Sequence, residues 1–183
     1  MRSETDLRPE RPDDREAIAH VHGDAFGRQE EADLVDALRR STGFIPELSL
    51  VAIHGGQIVG HVLFTRIVVR GERQPHPALA LAPLAVLGSH QRRGLGSALV
   101  ERGLEQAQAL GHELVIVLGH PEYYPRFGFV PAGQHGIRPP FPVREEAFMA
   151  RELRMGVLGQ MKGQVEYPPE FAGTSDQPPP PRR

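Results

Sequence analysis

Gln91, Arg92, Arg93, Gly94, Leu95 and Gly96, with Ser97 after them, are the residues of this chain best suited to chemistry. They separate an apolar run from an amphipathic stretch, so they form a glycine-containing turn that opens a helix. Such a turn aims free backbone N–H groups, with the positive end of the helix dipole behind them, at an anion. Gly94 and Gly96 let the backbone approach a ligand closely, and Ser97 adds a hydroxyl. A diphosphate is the natural guest. Spacing excludes two familiar phosphate loops. A P-loop ends in Gly-Lys-Ser or Gly-Lys-Thr, whereas Gly96 is followed by Ser97 and Ala98. A dinucleotide fingerprint has a third glycine three residues after the second, where Leu99 stands.

His120 is a second candidate. It follows an apolar run at what should be the carboxyl end of a central strand, where sites in open sheets gather, and an imidazole titrates near neutrality. General base and strand-end cap are both open to it. Glu122, Glu30 and Glu31 are weaker bases, since each also reads as a solvated helix charge. The chain has no cysteine, which excludes disulfides, thiolate metal sites and any mechanism that parks an acyl group on a protein thiol. Its nine histidines show no zinc-protease spacing, and no metal site is expected.

The elements that must position these residues can be read from periodicity. A short strand at 7–9 precedes a helix started by Pro12, Asp13 and Asp14. A second helix spans 30–40, with Ala32, Leu34, Val35 and Leu38 on its apolar side. Residues 48–53 and 57–69, separated by His54, Gly55 and Gly56, read as a hairpin. Residues 79–87 are apolar on both faces, as a central strand would be, yet Pro83 cannot donate to a ladder, so a bulge or splayed pairing is expected there. A helix at 94–110 and a buried strand at 114–118 complete a right-handed crossover between two parallel strands. A last strand is expected at 147–155. The prolines after residue 167 read as solvated chain, which divides the sequence into one domain at 1–158 and a flexible Pro-rich tail at 159–183.

Two stretches carry a family resemblance. Gln91-Arg92-Arg93-Gly94-Leu95-Gly96 resembles the pyrophosphate loop of the GNAT superfamily of N-acetyltransferases, which runs Gln or Arg, two variable residues, Gly, a variable residue, then Gly or Ala. Tyr124-Pro125-Arg126-Phe127-Gly128-Phe129 resembles that family's Tyr-x-x-x-Gly-Phe stretch. The likeness covers about 79–130, and the helices and hairpin before it come in the family's order.

The resemblance implies an α/β fold with a mixed, mostly antiparallel sheet, one parallel crossover at the cofactor cleft and helices on both faces. It implies acetyl-CoA as cofactor, with pantetheine lying along the backbone of Leu84, Ala85 and Val86, and pyrophosphate on the loop from Gln91 to Ser97. Tyr124, by its place in the motif, would protonate the departing thiolate, and a base such as His120 would deprotonate an amine acceptor. Tyr123 is expected to pack in the core. A histidine followed by Pro121 departs from the asparagine many family members carry nearby, which leaves the base open.

Bulk properties restrict the alternatives. At 183 residues, with 39% hydrophobic residues, the chain fits one core. A net charge of −2 argues against nucleic acid as partner, despite Arg92 and Arg93. No apolar run approaches the ~20 residues that cross a bilayer, and the charged N-terminus lacks the apolar segment of a signal peptide, so a cytoplasmic protein without membrane partners is expected, as monomer or homodimer. The rival function is a non-catalytic acyl-CoA-binding or sensor module.

Overall fold

The computed structural model describes residues 5–173. β1 (Thr5–Pro9) turns at Pro12 into α1 (Arg15–Phe26). Asp14 fixes that corner: its carboxylate accepts the Arg11 backbone N–H at 2.6 Å and two bonds from the Arg8 guanidinium at 2.6 and 3.0 Å. α1 ends where Gly27 takes a left-handed φ of 69° and returns its N–H to the Gly23 carbonyl. α2 (Glu30–Arg39) opens on Glu30, Glu31 and Asp33 and closes on Arg39, the charge order its dipole favours.

β2 (Ser49–His54) and β3 (Gln57–Arg70) form the expected hairpin across Gly55 and Gly56, both at positive φ. β4 (Pro75–Val86) pairs back along β3, α3 (Leu95–Ala109) crosses over, and β5 (Leu114–Leu118) returns parallel to β4. β6 (Val130–Pro131), β7 (Ile137–Arg138), β8 (Phe148–Glu152) and β9 (Gly163–Glu166) follow. The strand order is β1-β2-β3-β4-β5-β8-β6, with β9 joining β3 to β7. The sheet is mixed and mostly antiparallel, as expected; a two-residue parallel pair between β7 and β9 adds to the central crossover.

The sheet continues past residue 158, where the sequence places the domain boundary. Val165 of β9 is fully buried and pairs with Val69 of β3, so 163–166 belong to the sheet. β9 is only four residues long, starts on glycine and is followed by Pro168 and Pro169, too short a signal for periodicity to detect. Of the expected tail, residues 174–183 lie outside the described residues.

Alternation along the central strands divides the core into two layers. Leu79 and Leu81 of β4, with Val115 and Val117 of β5, pack beside Leu95, Leu99 and Leu104 of α3. Ala78, Ala80, Leu114 and Ile116 face the other side, with Val157 and Val165. On that second side α1 and α2 lay Ile18, Leu34, Val35 and Leu38 over Val51 and Leu63. Gly103 lets α3 lie close to β3: a Cβ there would sit 2.2 Å from the Phe64 ring.

A polar chain runs through this apolar interior. His22 Nε2 lies 2.8 Å from His61 Nδ1, His61 Nε2 lies 2.9 Å from Ser49 Oγ, and Ser49 Oγ donates to Glu10 Oε2 at 2.7 Å. Because Glu10 accepts from Ser49, the hydroxyl accepts from His61 Nε2–H, which leaves His61 Nδ1 to accept from His22 Nε2–H. Arg39 closes the chain with bonds of 2.7 and 3.0 Å to Glu10. Burial holds both imidazoles below their usual range, His22 well below it. Burial alone would raise the Glu10 carboxyl, but the hydrogen bonds from His61, Arg39 and Ser49 prevail and hold it at about 2.

Candidate active site

β4 and β5 share two residue pairs, Leu79 with Val115 and Ala80 with Ile116. β4 continues to Val86 and β5 to Leu118, so past Ala80 the strands diverge. Pro83, which follows a cis peptide, stands just beyond the last pair and has no N–H for a ladder. The splay read from the sequence is therefore present. A cleft of about 730 Å³ occupies the gap. Leu84, Ala85 and Val86 line it while remaining paired to Val62, His61 and Gly60 of β3 on their other edge. The strand is thus held rigidly on one side and presents its second edge to a ligand.

At the end of β4 the chain turns into the loop. Arg92 takes a left-handed φ of 60°, unusual for a residue with a side chain, and Gly94 one of 82°. The Gln91 side-chain amide donates to the Val86 carbonyl at 3.0 Å and ties the loop to the strand end. The Ala98 N–H bonds to the Gly94 carbonyl at 2.9 Å, so the N–H groups just before it have no carbonyl one turn back and point out of the helix start. Gly94 has no heavy atom within 4 Å of where a Cβ would stand. This is open, donor-rich backbone suited to an anion.

The opposite wall is built at the end of β5. Gly119 donates to the Ala147 carbonyl at 2.9 Å, and the N–H groups of Tyr123 and Tyr124 both return to the His120 carbonyl, at 3.0 and 3.3 Å. This turn lays the Tyr124 ring over Gly119, where a Cβ would be 2.3 Å from Tyr124 Cε2. Tyr124 is 8% exposed, and burial pushes its phenol up, so it keeps its proton. It packs edge-on against Tyr123 and Phe129, with centroids at 5.1 and 5.6 Å. His120, half-buried, lines the same cleft.

The residues singled out for cofactor binding or catalysis line this one cleft, except Arg93 and the weaker base candidates Glu30 and Glu122, which are exposed and off its wall. Tyr123 is more than core packing: its hydroxyl lies 3.4 Å from Ser97 Oγ, and Arg126 covers its ring at 4.7 Å. Glu31 is not a solvated charge. It is 6% exposed, lines the cleft, and takes bonds from Arg28 Nε at 3.0 and 3.2 Å. A signal existed, since residues 31, 34, 35 and 38 share the spacing of the buried helix stripe. Phe141, Tyr167 and Phe171 also reach the cleft from the C-terminal segment. Tyr167 and Phe171 follow β9, whose pairing with β3 carries the chain there, and local sequence does not encode that pairing.

The family model for the acetyltransferase (GNAT) domain matches residues 6–132. The chain belongs to the GNAT acetyltransferase family. The uncharacterised N-acetyltransferase YjhQ of Escherichia coli K12 is 44% identical over 134 residues, 73% of this chain and 74% of that protein. The uncharacterised N-acetyltransferase YhbS of the same organism is 37% identical over 166 residues, 90% of this chain and 97% of that one. The crystal structure of Escherichia coli YhbS in complex with CoA superposes with a TM-score of 0.87 at 33% identity, covering 96% of each chain. A GNAT acetyltransferase of Brucella melitensis in complex with acetyl-CoA superposes at 0.75, with 30% identity over 92% of this chain and 99% of that one. This GNAT member is thus an acyltransferase of the N-acetyltransferase class. Among its described residues no helix is long and apolar enough to cross a membrane.

Proposed function

We propose that this N-acetyltransferase uses acetyl-CoA as donor and passes the acetyl group directly to a primary amine bound beside it. The observation that carries the reading is the divergence of β4 from β5 past Ala80, ending in the donor-rich loop at the start of α3. The residues fit the cofactor. The free edge of Leu84, Ala85 and Val86 would hold an amide-bearing arm as a neighbouring strand would, and the N–H groups from Gln91 to Ser97 would hold a diphosphate. The two relatives crystallised with CoA and acetyl-CoA support the same assignment.

Acetyl-CoA supplies a thioester, an acetyl group already activated toward nucleophiles. The protein then has to manage protons. Tyr124 keeps its proton through burial, and a phenol beside the cleft can hand a hydrogen bond to a departing thiolate. An amine of pKa ~10 must lose a proton before it attacks, and His120, an imidazole on the cleft wall at the end of β5, is assigned to receive it. With no cysteine in the chain, an acyl-thiol enzyme intermediate is excluded, which supports transfer within a ternary complex.

Calorimetric titration with CoA and acetyl-CoA, on the wild type and on a Gly94→Glu, Gly96→Glu double variant, tests the cofactor assignment. Binding to the wild type and none to the folded variant is expected. No binding to either would reduce the loop to a helix cap. Binding without turnover of any amine would favour a sensor module.

A further inference from the structure

The opening between β4 and β5 connects the two faces of the sheet. On the α3 face it is walled by Leu95, Gly96, Tyr123 and Tyr124. On the other face, where Ala80 and Ile116 point, its walls come from α1, α2 and the C-terminal segment. Those second walls are apolar. Phe141 stacks on Tyr167 with centroids 6.0 Å apart and planes 21° from parallel, and Tyr167 meets Phe171 at 5.2 Å. Phe26 and Leu34 complete the lining from the helices.

The charged groups that α1, α2 and residues 140–173 bring to this lining are Arg28 and Glu31. Arg28 is shared between Glu31 and Glu30, whose carboxylate lies 3.4 Å from it, so Glu31 does not have the guanidinium to itself. A carboxylate held by one arginine still has acceptor capacity for an ammonium group. A polyamine, an aminosugar or a peptide lysine would bring several polar groups to walls that, Arg28, Glu31 and the Tyr167 hydroxyl apart, are apolar on this side, and each unpaired group costs affinity.

We propose, resting on the acetyltransferase reading, that the acceptor is a primary amine carried on a compact aromatic or aliphatic body. The body lies against the Phe141–Tyr167–Phe171 ladder, and Glu31 draws the cationic head into the cleft. Phe141, Phe171 and Glu31 are then the residues that set acceptor specificity, and the segment that sequence reading set aside as a tail supplies two rungs of the ladder.

The test uses the full chain with acetyl-CoA and follows CoA release for 2-phenylethylamine, spermidine and a lysine-containing peptide, with calorimetry of each amine on the CoA-bound protein. Phenylethylamine should exceed the polar amines at least ~10-fold in kcat/KM, the scale of discrimination an apolar pocket provides. Phe141→Ala and Phe171→Leu should each raise its KM several-fold at unchanged melting temperature and unchanged KM for acetyl-CoA. Glu31→Gln should raise the amine KM alone. A preference for spermidine or the peptide, or an amine KM insensitive to all three variants, overturns the proposal while leaving the acetyltransferase reading intact. So does a protein that binds CoA yet neither binds nor acetylates phenylethylamine. Failure to bind CoA overturns both.

Discussion

Tyr124 owes its position to a residue that does no chemistry. Gly119 leaves room for the ring, and a methyl group at 2.3 Å would push it off the cleft wall. Removing the hydroxyl with Tyr124→Phe should lower kcat by ~10²-fold, the low end of general acid catalysis, with CoA affinity unchanged in calorimetry. Gly119→Ala should give a comparable loss by displacing the ring, and a crystal structure of that variant would show the tyrosine moved. Because burial raises the phenol, no fall in kcat with a Tyr124 signature should appear between pH 7 and 9. A Tyr124→Phe enzyme with full turnover would assign proton delivery to another group.

Among the elements, α3 matters most because its first turn is the proposed anion site and its middle rests on β3. Gly103 permits that contact: a Cβ would stand 2.2 and 2.5 Å from Phe64 Cε2 and Cζ, and the ring is fully buried with nowhere to retreat. Gly103→Ala should cost ~1–3 kcal/mol, as overpacked cores do. Urea denaturation should show a lower midpoint at unchanged slope. Pairing it with Phe64→Leu should recover part of the loss, since the two residues share one space. The single variant should also bind CoA less tightly, because tilting α3 moves the loop away from the end of β4.

The whole molecule responds to acid through the buried chain from His22 to Glu10, which links α1, α2 and the first three strands. Both histidines have folded pKa values below the ordinary 6.5, so between those values and 6.5 the unfolded chain binds protons that the folded one refuses. Stability is therefore full above pH ~6.5 and falls below it, by ~1.4 kcal/mol per pH unit for each histidine that takes up a proton on unfolding. Glu10, held at about 2 against an ordinary 4.5, adds stability that is present above 4.5 and lost as pH falls toward 2. Chemical denaturation from pH 8 to 4 should show the decline beginning near 6.5. A His22→Leu variant should lose part of the slope above 4.5 while keeping the part that belongs to Glu10. A flat profile down to pH 5 would mean that the imidazoles charge without cost.

What could be read from the sequence is what local physics encodes. The helices, the hairpin and the buried β5 declare themselves by spacing, and the loop from Gln91 to Gly96 by glycine placement at a helix start. Pro83 announced the divergence of β4 from β5 because a missing N–H is a property of one residue. Tertiary structure alone decided the rest. Nothing local distinguishes β9 from a solvated tail, since its strand character lies in the edge of β3 that it meets. His22 and His61 are 39 residues apart, and only sheet-on-helix packing makes them partners. The end of the cleft proposed for the acceptor is likewise assembled from α1, α2 and the last described residues. Periodicity reports which face of an element is buried, whereas a site depends on which buried faces meet.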